Sequence, residues 1–210
     1  MKVEWRGRWD YLEALAAQRS RREEVIAGCA DPVLWLLEHP PVITLGRRAA
    51  MVDEARIASA GYALVATERG GLATCHEPGQ LVGYLIRDVS EVGVRRAVHA
   101  IEEGLIDWLA GVGIEARRRS DAPGVWVGPD KVAALGLHVR RGVTMHGFAI
   151  NLSNDLRGFS LITPCGILDG GVASVERCSG TSVTPAESWA SVAASVLRAF
   201  EGLDRDRTGG

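Results

Sequence analysis

Lysine is nearly absent from this chain: 22 of its 24 basic residues are arginine, and only Lys2 and Lys131 break the pattern. Arginine keeps its proton, whereas a lysine releases one in a suitable environment, so the internal Lys131 points to proton chemistry, with chance as the competing explanation. Cysteine is scarce too. Cys29, Cys75, Cys165 and Cys178 are separated by 46, 90 and 13 residues and form no CxxC pair, which excludes a zinc ribbon and a disulfide framework and fits free thiols in a reducing cytoplasm. Apolar runs are only a handful of residues long, so neither a secretory segment nor a membrane span is expected. A formal net charge of −2 gives no broad basic face for nucleic acid or anionic lipid. The run Arg117-Arg118-Arg119 reads as a solvated strand edge. Neither a P-loop ending in GK[ST] nor GxGxxG occurs, so nucleotide binding has no positive signal.

What is present is ordinary globular material, 47% hydrophobic and 24% charged over 210 residues, enough for one large domain with its own core. Residues 10–27 carry Leu12, Leu15, Ala16 and Val25 at helical spacing and stop at Gly28. VLWLLEH (33–39) and VITLG (42–46), split by Pro40-Pro41, read as two strands or one broken strand at a sheet edge. YALVAT (62–67) and LVGYLIR (81–87) are strand-like, with the glycine-rich stretch 69–80 as a loop between them. A second helix over 92–110 has Val94, Val98, Ile101, Leu105 and Trp108 on one face. GIEARRRS, GVWVG, KVAALGLHVR and VTMHGFAINLS follow as strands, the last two joined by a hairpin at Arg141-Gly142. A third helix spans 186–202. The expected class is α+β: a single domain over 1–203 with a mixed sheet flanked by helices, and a disordered tail at 204–210.

Chemistry concentrates in two places. In SLITPCGILD (160–169), Cys165 stands between a proline and a glycine, residues that bend the backbone and lift the thiol out of a regular ladder. In RGGLATCHEPGQ (69–80), three glycines and a proline within 12 residues let the main chain approach a ligand closely, although a tight surface turn has the same composition. His76 in that loop reads as a base, a hydrogen-bond donor or a structural histidine. His138 and His146 lie on paired strands and face core or site according to alternation. His39 before two prolines suits a turn, and His99, on a helix, reads as structural. If the hairpin closes at Arg140–Gly142, Lys131 falls opposite about Asn151, close to where the chain departs for Cys165. A cysteine and a lysine in contact can share a proton as thiolate and ammonium; such a thiolate attacks a thioester and passes the acyl group on to an amine. Cys29, Cys75 and Cys178 read as structural.

The segments LLEHPPVITLGRRA (36–49), RGGLATCHEPGQLVGY (69–84), GVWVGPDKVAALGLHV (124–139), HGFAINLSNDL (146–156) and FSLITPCGI (159–167) together resemble the octanoyltransferases of lipoic acid biosynthesis, in that family's order. The resemblance implies a fold similar to the catalytic domain of lipoate and biotin protein ligases. It also implies transfer of octanoate from octanoyl-acyl carrier protein to the target lysine of apo lipoyl domains, those of 2-oxoacid dehydrogenase complexes and the glycine cleavage H protein. Cys165 corresponds to the acyl-accepting nucleophile and Lys131 to its acid/base partner. Arg69, Gly70, Gly71, His76, Gly79 and Gln80, with His146, Gly147 and Asn151, correspond to substrate-binding positions, and amides near Gly166 to an oxyanion site. No cofactor or metal is implied, because a thioester arrives already activated. Cys75, where the family often has an aromatic residue, and Glu77, where it often has glycine, depart from the pattern. Three competing readings are an ATP-dependent lipoate ligase, a noncatalytic acyl-binding protein and a cysteine hydrolase. Arg140, Arg141 and Arg157 flank the site elements and suit an acidic carrier protein.

Overall fold

A computed structural model describes residues 1–48, 51–162 and 170–208, with side chains to residue 203. Among these residues the strands form two sheets. The larger takes β1 (Lys2–Arg8), β2 (Val33–Glu38), β6 (Gln80–Ile86), β9 (Val143–Asn151), β8 (Asp130–Arg140) and β7 (Val125–Val127) in that spatial order. The smaller places β3 (Val42–Leu45) between β4 (Ala63–Ala66) and β5 (Ala73–His76). Both are mixed: β1 runs parallel to β2 and β3 parallel to β4, while the other pairings are antiparallel. Each parallel pair needs a crossover. Helix α1 (Tyr11–Ile26) supplies the first and α2 (Glu54–Ser59) the second.

Local chemistry accounts for most boundaries. Asp10 caps α1 by accepting from the amides of Leu12 and Glu13 at 2.8 and 3.2 Å. Arg141 and Gly142 both take positive φ, +48° and +81°, which is the backbone of a two-residue hairpin turn whose twist matches its strands. Helices α3 (Val94–Gly111) and α5 (Pro185–Thr208) pack on one face of the large sheet, burying Ile101, Leu105, Val192, Val196 and Phe200 with Leu34, Leu81, Leu85 and Ile150. The opposite face, with Trp35, Val82, Tyr84 and Ala149, receives α1. A short helix α4 (Val175–Ser179) and a 3₁₀ turn over Arg157–Leu161 complete the described elements.

Several expectations change. The two runs around Pro40-Pro41 are separate strands and neither lies at an edge: β2 sits between β1 and β6, and β3 is central in the small sheet. Their near-continuous apolar sequence reflects burial on both faces. The stretch 69–80 is not all loop, since β5 occupies its middle; pairing with β3 makes a strand where glycine and proline flank only four residues. On α1 the buried face is Tyr11, Ala14, Leu15, Gln18 and Arg22, while Leu12 and Ala16 are exposed; Gln18 and Arg22 are buried against the His146 amide and the His138 ring. GIEARRRS contributes a single bridge, Arg117 with Trp126. The N-terminal strand β1 interleaves charge with Val3 and Trp5 and escaped the pattern of apolar runs. Helix α5 continues to Thr208, through the residues assigned to a disordered tail; arginine is a good helix former and adds to a helix already nucleated by packing.

Helices α3 and α5 approach closely at Gly104, where an added Cβ would stand 2.5 Å from Val196 Cα and 2.7 Å from its nitrogen. Helix propensity favours alanine over glycine by about 1 kcal/mol. Backbone-to-backbone crowding costs more, so Gly104→Ala is expected to lower unfolding free energy by about 2 kcal/mol net in urea denaturation.

Candidate active site

A cavity of about 470 Å³ opens between the chain leading into β5 and the strands β6, β9 and β8, within the range of roughly 300–1,000 Å³ common for small-molecule sites. Its walls differ by direction. Val82, Ala134, Leu135, Leu137, Phe148 and Phe159 make an apolar length, and Tyr11, His76, Tyr84 and His146 form a polar end. Gly70 is drawn onto β8 by donating its N–H to the Leu137 carbonyl at 3.2 Å, which lays residues 69–74 across the opening.

The polar end is a cluster of rings. Tyr11 lies 5.0 Å from His39 and 6.0 Å from His76, His39 lies 5.7 Å from Tyr84, and Tyr84 lies edge-on to His146 at 6.3 Å between centroids. Hydrogen bonds fix the tautomers. His39 Nδ1–H donates to the Trp9 carbonyl at 2.7 Å, so its Nε2 accepts the Tyr84 hydroxyl at 2.6 Å. The Gln80 amide donates to Cys75 O and Asn151 Oδ1, which leaves its oxygen to accept from His76 Nδ1 at 2.7 Å. Burial holds all three imidazoles neutral, lowering His39 to about 4 and both His76 and His146 to about 3. The same desolvation raises Tyr11 to about 12 and Tyr84 well above its ordinary value.

His146 is reached in an unusual way. Its φ of +62° breaks the alternation of β9, its N–H donates to Gln18 Oε1 at 2.8 Å, and its ring turns to the Tyr84 side. Such a backbone costs about 1–3 kcal/mol in a non-glycine residue. Its Nε2 is buried with no hydrogen-bond partner, a polar atom available to a ligand in the cavity it lines.

Lys131 also lines the cavity and is buried, its Nζ 4.7 Å from the centre of the Trp126 ring. Arg119 packs on that indole at 4.6 Å. Gly124, with φ +139°, makes room: a Cβ there would meet Lys131 Cε at 3.1 Å and Ala133 O at 2.7 Å. The main chain of Lys131 donates to Gly171 O and accepts from Ala173 N, both at 3.0 Å, and Val172 lines the cavity. Cys165 and Gly166 lie outside the described residues. The chain on both sides of them borders the cavity, through Phe159 before and Val172 after.

The other candidates separate into wall and frame. Arg69, Gly70, Gly71, His76, His146 and Gly147 line the cavity together with Lys131. Arg69 is buried and donates to the Thr44 carbonyl and hydroxyl at 2.6–3.0 Å, so it braces β3 against the loop. Gly79, Gln80 and Asn151 are not part of the lining. They stand behind it: Gln80 orients His76, Asn151 Nδ2 holds Ala173 O at 3.0 Å, and the Gly79 N–H donates to Glu38 at 2.7 Å. His138 faces α1, its Nδ1 accepting from Arg22 at 3.0 Å. Sequence reasoning missed Tyr11, Tyr84, Trp126 and the bracing Thr44; the readable signal was a polar or aromatic residue inside an otherwise apolar strand or helix start.

Among the described residues no cluster of three or more His, Cys, Asp or Glu is placed to hold a metal, the thiols of Cys29, Cys75 and Cys178 are free, and no helix is long and apolar enough to cross a membrane. Two comparisons define the class of fold. A bi-partite lipoate protein ligase from Thermoplasma acidophilum superposes with a TM-score of 0.69 over 98% of this chain and 84% of that one at 17% identity. A point mutant of the biotin protein ligase from Aquifex aeolicus, in complex with biotin, does so with 0.56 over 96% and 70% at 9% identity. This is therefore the lipoate and biotin ligase fold. The lipoyl protein ligase A/B catalytic domain family matches residues 10–200, and the octanoyltransferase of Geobacter sulfurreducens is 43% identical over 98% of this chain and 86% of its own length. The chain belongs to that family and, within it, to the octanoyltransferases.

With folded pKa values below the ordinary 6.5, the three histidines bind protons more readily in the unfolded chain. Their stabilisation is complete above about pH 6.5 and is lost as pH falls through the folded values of about 4 for His39 and about 3 for His76 and His146. Urea denaturation between pH 6.5 and 4.5 should show unfolding free energy dropping by up to about 4 kcal/mol per pH unit, the sum of three groups at about 1.4 each.

Proposed function

We propose that the protein transfers octanoyl from octanoyl-acyl carrier protein to the target lysine of apo lipoyl domains by way of a thioester on Cys165. The observation that carries this reading is the main-chain ladder between Lys131 and residues 171–173, which ties the buried lysine of the cavity wall to the chain leaving Cys165. Gly171 follows Cys165 by six positions, a reach of at most about 20 Å when extended.

Lys131 takes the thiol proton, and the Cys165 sulfur attacks the thioester carbonyl. The carrier's thiol leaves with the proton returned by Lys131. The apolar length of the cavity holds the acyl chain. The acceptor lysine, arriving as a free amine, then attacks the acyl-enzyme, its proton passes to Lys131, and Cys165 is released as an octanoyl amide forms. Neutral His76 and His146 offer dipoles to the carbonyl end of the substrate without adding a charge that would compete with the Cys165 and Lys131 pair. Activation is supplied by the incoming thioester, so neither ATP nor a metal enters either step. The setting is the cytoplasm, with the lipoyl domains of 2-oxoacid dehydrogenase complexes and the glycine cleavage H protein as acceptors.

The carrier protein is acidic in this scheme, and its docking cation is Arg48, which is exposed and lines the cavity. Two of the arginines suggested by sequence are already engaged, Arg140 with Glu23 at 3.0 Å and Arg157 with Asp155 at 2.6 Å.

Intact-protein mass spectrometry after mixing with octanoyl-acyl carrier protein, without ATP, tests the reaction. Wild type should gain one octanoyl group that maps to Cys165 and moves to an added apo lipoyl domain. Lys131→Ala should acylate at least about 100-fold more slowly, and Cys165→Ala should gain no adduct. Absence of an adduct on wild type, with lipoylation appearing only when ATP and a free acid are supplied, would mark a ligase instead. For docking, Arg48→Glu should raise KM for the carrier-borne substrate by about tenfold at low salt, shrinking as salt rises, and leave a small octanoyl thioester unaffected.

A further inference from the structure

We propose that Glu77 is a positioning residue for acyl transfer, fixing the stem through which the chain enters the segment that bears Cys165. The inference rests on the thioester reading above. Its carboxylate is buried and gathers donors from Tyr62, from the Cys75 thiol at 3.8 Å and from residues 154–158. Oε1 accepts from Asn154 Nδ2 at 2.9 Å and from the Leu156 amide at 3.0 Å. Oε2 accepts from the Tyr62 hydroxyl at 2.6 Å, and from the Gly158 amide at 3.4 Å.

Leu156 and Gly158 flank the start of the 3₁₀ turn at Arg157–Leu161, which Ile162 and then the Cys165 segment follow in sequence. Leu156 sits at the N-terminus of that turn with φ +67° and makes no side-chain capping bond, and the neighbouring Asp155 Oδ1 accepts only the Arg157 amide, at 3.0 Å. Glu77, from a distant part of the sequence, takes the amides on either side. It satisfies two amides that a buried turn would otherwise leave without acceptors, and it holds Leu156 in a conformation a leucine seldom adopts. The stem is also pressed against β5, since a Cβ at Gly158 would collide with Cys75 Sγ and Tyr62.

The network does not end there. The two hydrogens of the Asn154 amide go to Glu77 and to Asn151 Oδ1, the latter at 3.2 Å. Asn151 in turn holds Ala173, beyond Cys165, and accepts from Gln80, which orients His76 in the cavity wall. One connected set of hydrogen bonds therefore grips the chain before and after the nucleophile and joins both grips to the cavity. Glu77 is its carboxyl member, and its partners among the described residues are uncharged donors. An amide at this position would turn one acceptor oxygen into a donor facing other donors, so the stem would lose an anchor while the fold kept its core.

The test is single-turnover acylation by an octanoyl thioester, in which the Cys165 sulfur–carbon bond forms as the donor's breaks and the thiol proton ends on the departing thiol. Wild type, Glu77→Gln and Tyr62→Phe are compared, with hydrogen exchange at residues 156–162 and melting temperature recorded for each. Glu77→Gln should acylate about 10- to 100-fold more slowly at saturating substrate, with KM changed less than about threefold and faster exchange at Leu156 and Gly158. Tyr62→Phe removes a donor outside the stem and should stay within about threefold of wild type even where its melting temperature falls as far. Equal acylation by wild type and Glu77→Gln, or a loss in both variants that simply follows melting temperature, overturns the positioning role. An unacylated wild type overturns the thioester reading itself. If Glu77→Gln does not fold, Glu77→Asp, too short to reach both stem amides, takes its place with the same expected split between kcat and KM.

Discussion

The site depends on a place where the large sheet carries no side chains. Gly136 of β8 stands opposite Gly147 of β9, and Gly147 opposite Tyr84 of β6. A Cβ on Gly147 would fall on the Gly83 carbonyl, and one on Gly83 would enter the Phe148 ring. The strands can therefore hold this register only with glycine at these points. The volume that side chains would fill becomes part of the cavity, and Gly70 can bring its carbonyl to within 3.1 Å of where a Cβ of Gly136 would stand. Small residues here create both the space for a ligand and the close approach of the loop that walls it.

Around that space the protein buries polar groups without burying free charge. Three neutral histidines and two tyrosines interlock through ring contacts and one short hydrogen bond, Tyr84 to His39, so the polar end of the cavity presents oriented dipoles in a low-dielectric setting. The positive φ of His146 fits the same logic, since a regular strand would have turned that ring to the opposite face of β9. Two buried ionisable groups are held by several hydrogen bonds each, Arg69 by Thr44 and Glu77 by Tyr62, Asn154 and two amides. Such groups tie loops to the small sheet, where apolar packing is limited to a compact cluster around Ile43, Ile57 and Phe159.

Much of this was legible in the chain. Alternation and turn chemistry located the β8–β9 hairpin, because Arg141-Gly142 imposes a twist that only one pairing satisfies, and the helical period located α3. The blocks around Arg69, Lys131 and His146 marked the cavity wall. What escaped were elements whose signal is not local. Strand β5 contains four residues between turn formers and becomes a strand only because β3 lies beside it. Helix α1 looked amphipathic on its leucines, yet it buries Gln18 and Arg22, since the sheet beneath offers polar partners.

The sequence by itself determined the periodicities, the turns, the single internal lysine and the motif blocks that place the chain among octanoyltransferases. Only the tertiary structure decided which candidates line the cavity and which stand behind it. Gln80 and Asn151 share their motifs with His76 and His146 but serve as frame, and Tyr11, from the first turn of α1, joins the wall from outside every motif. The reason is physical. Backbone preferences and turn geometry act over a few residues, whereas the meeting of Tyr11, His76, Tyr84 and His146 depends on strand order and register, which are set by how the whole chain packs.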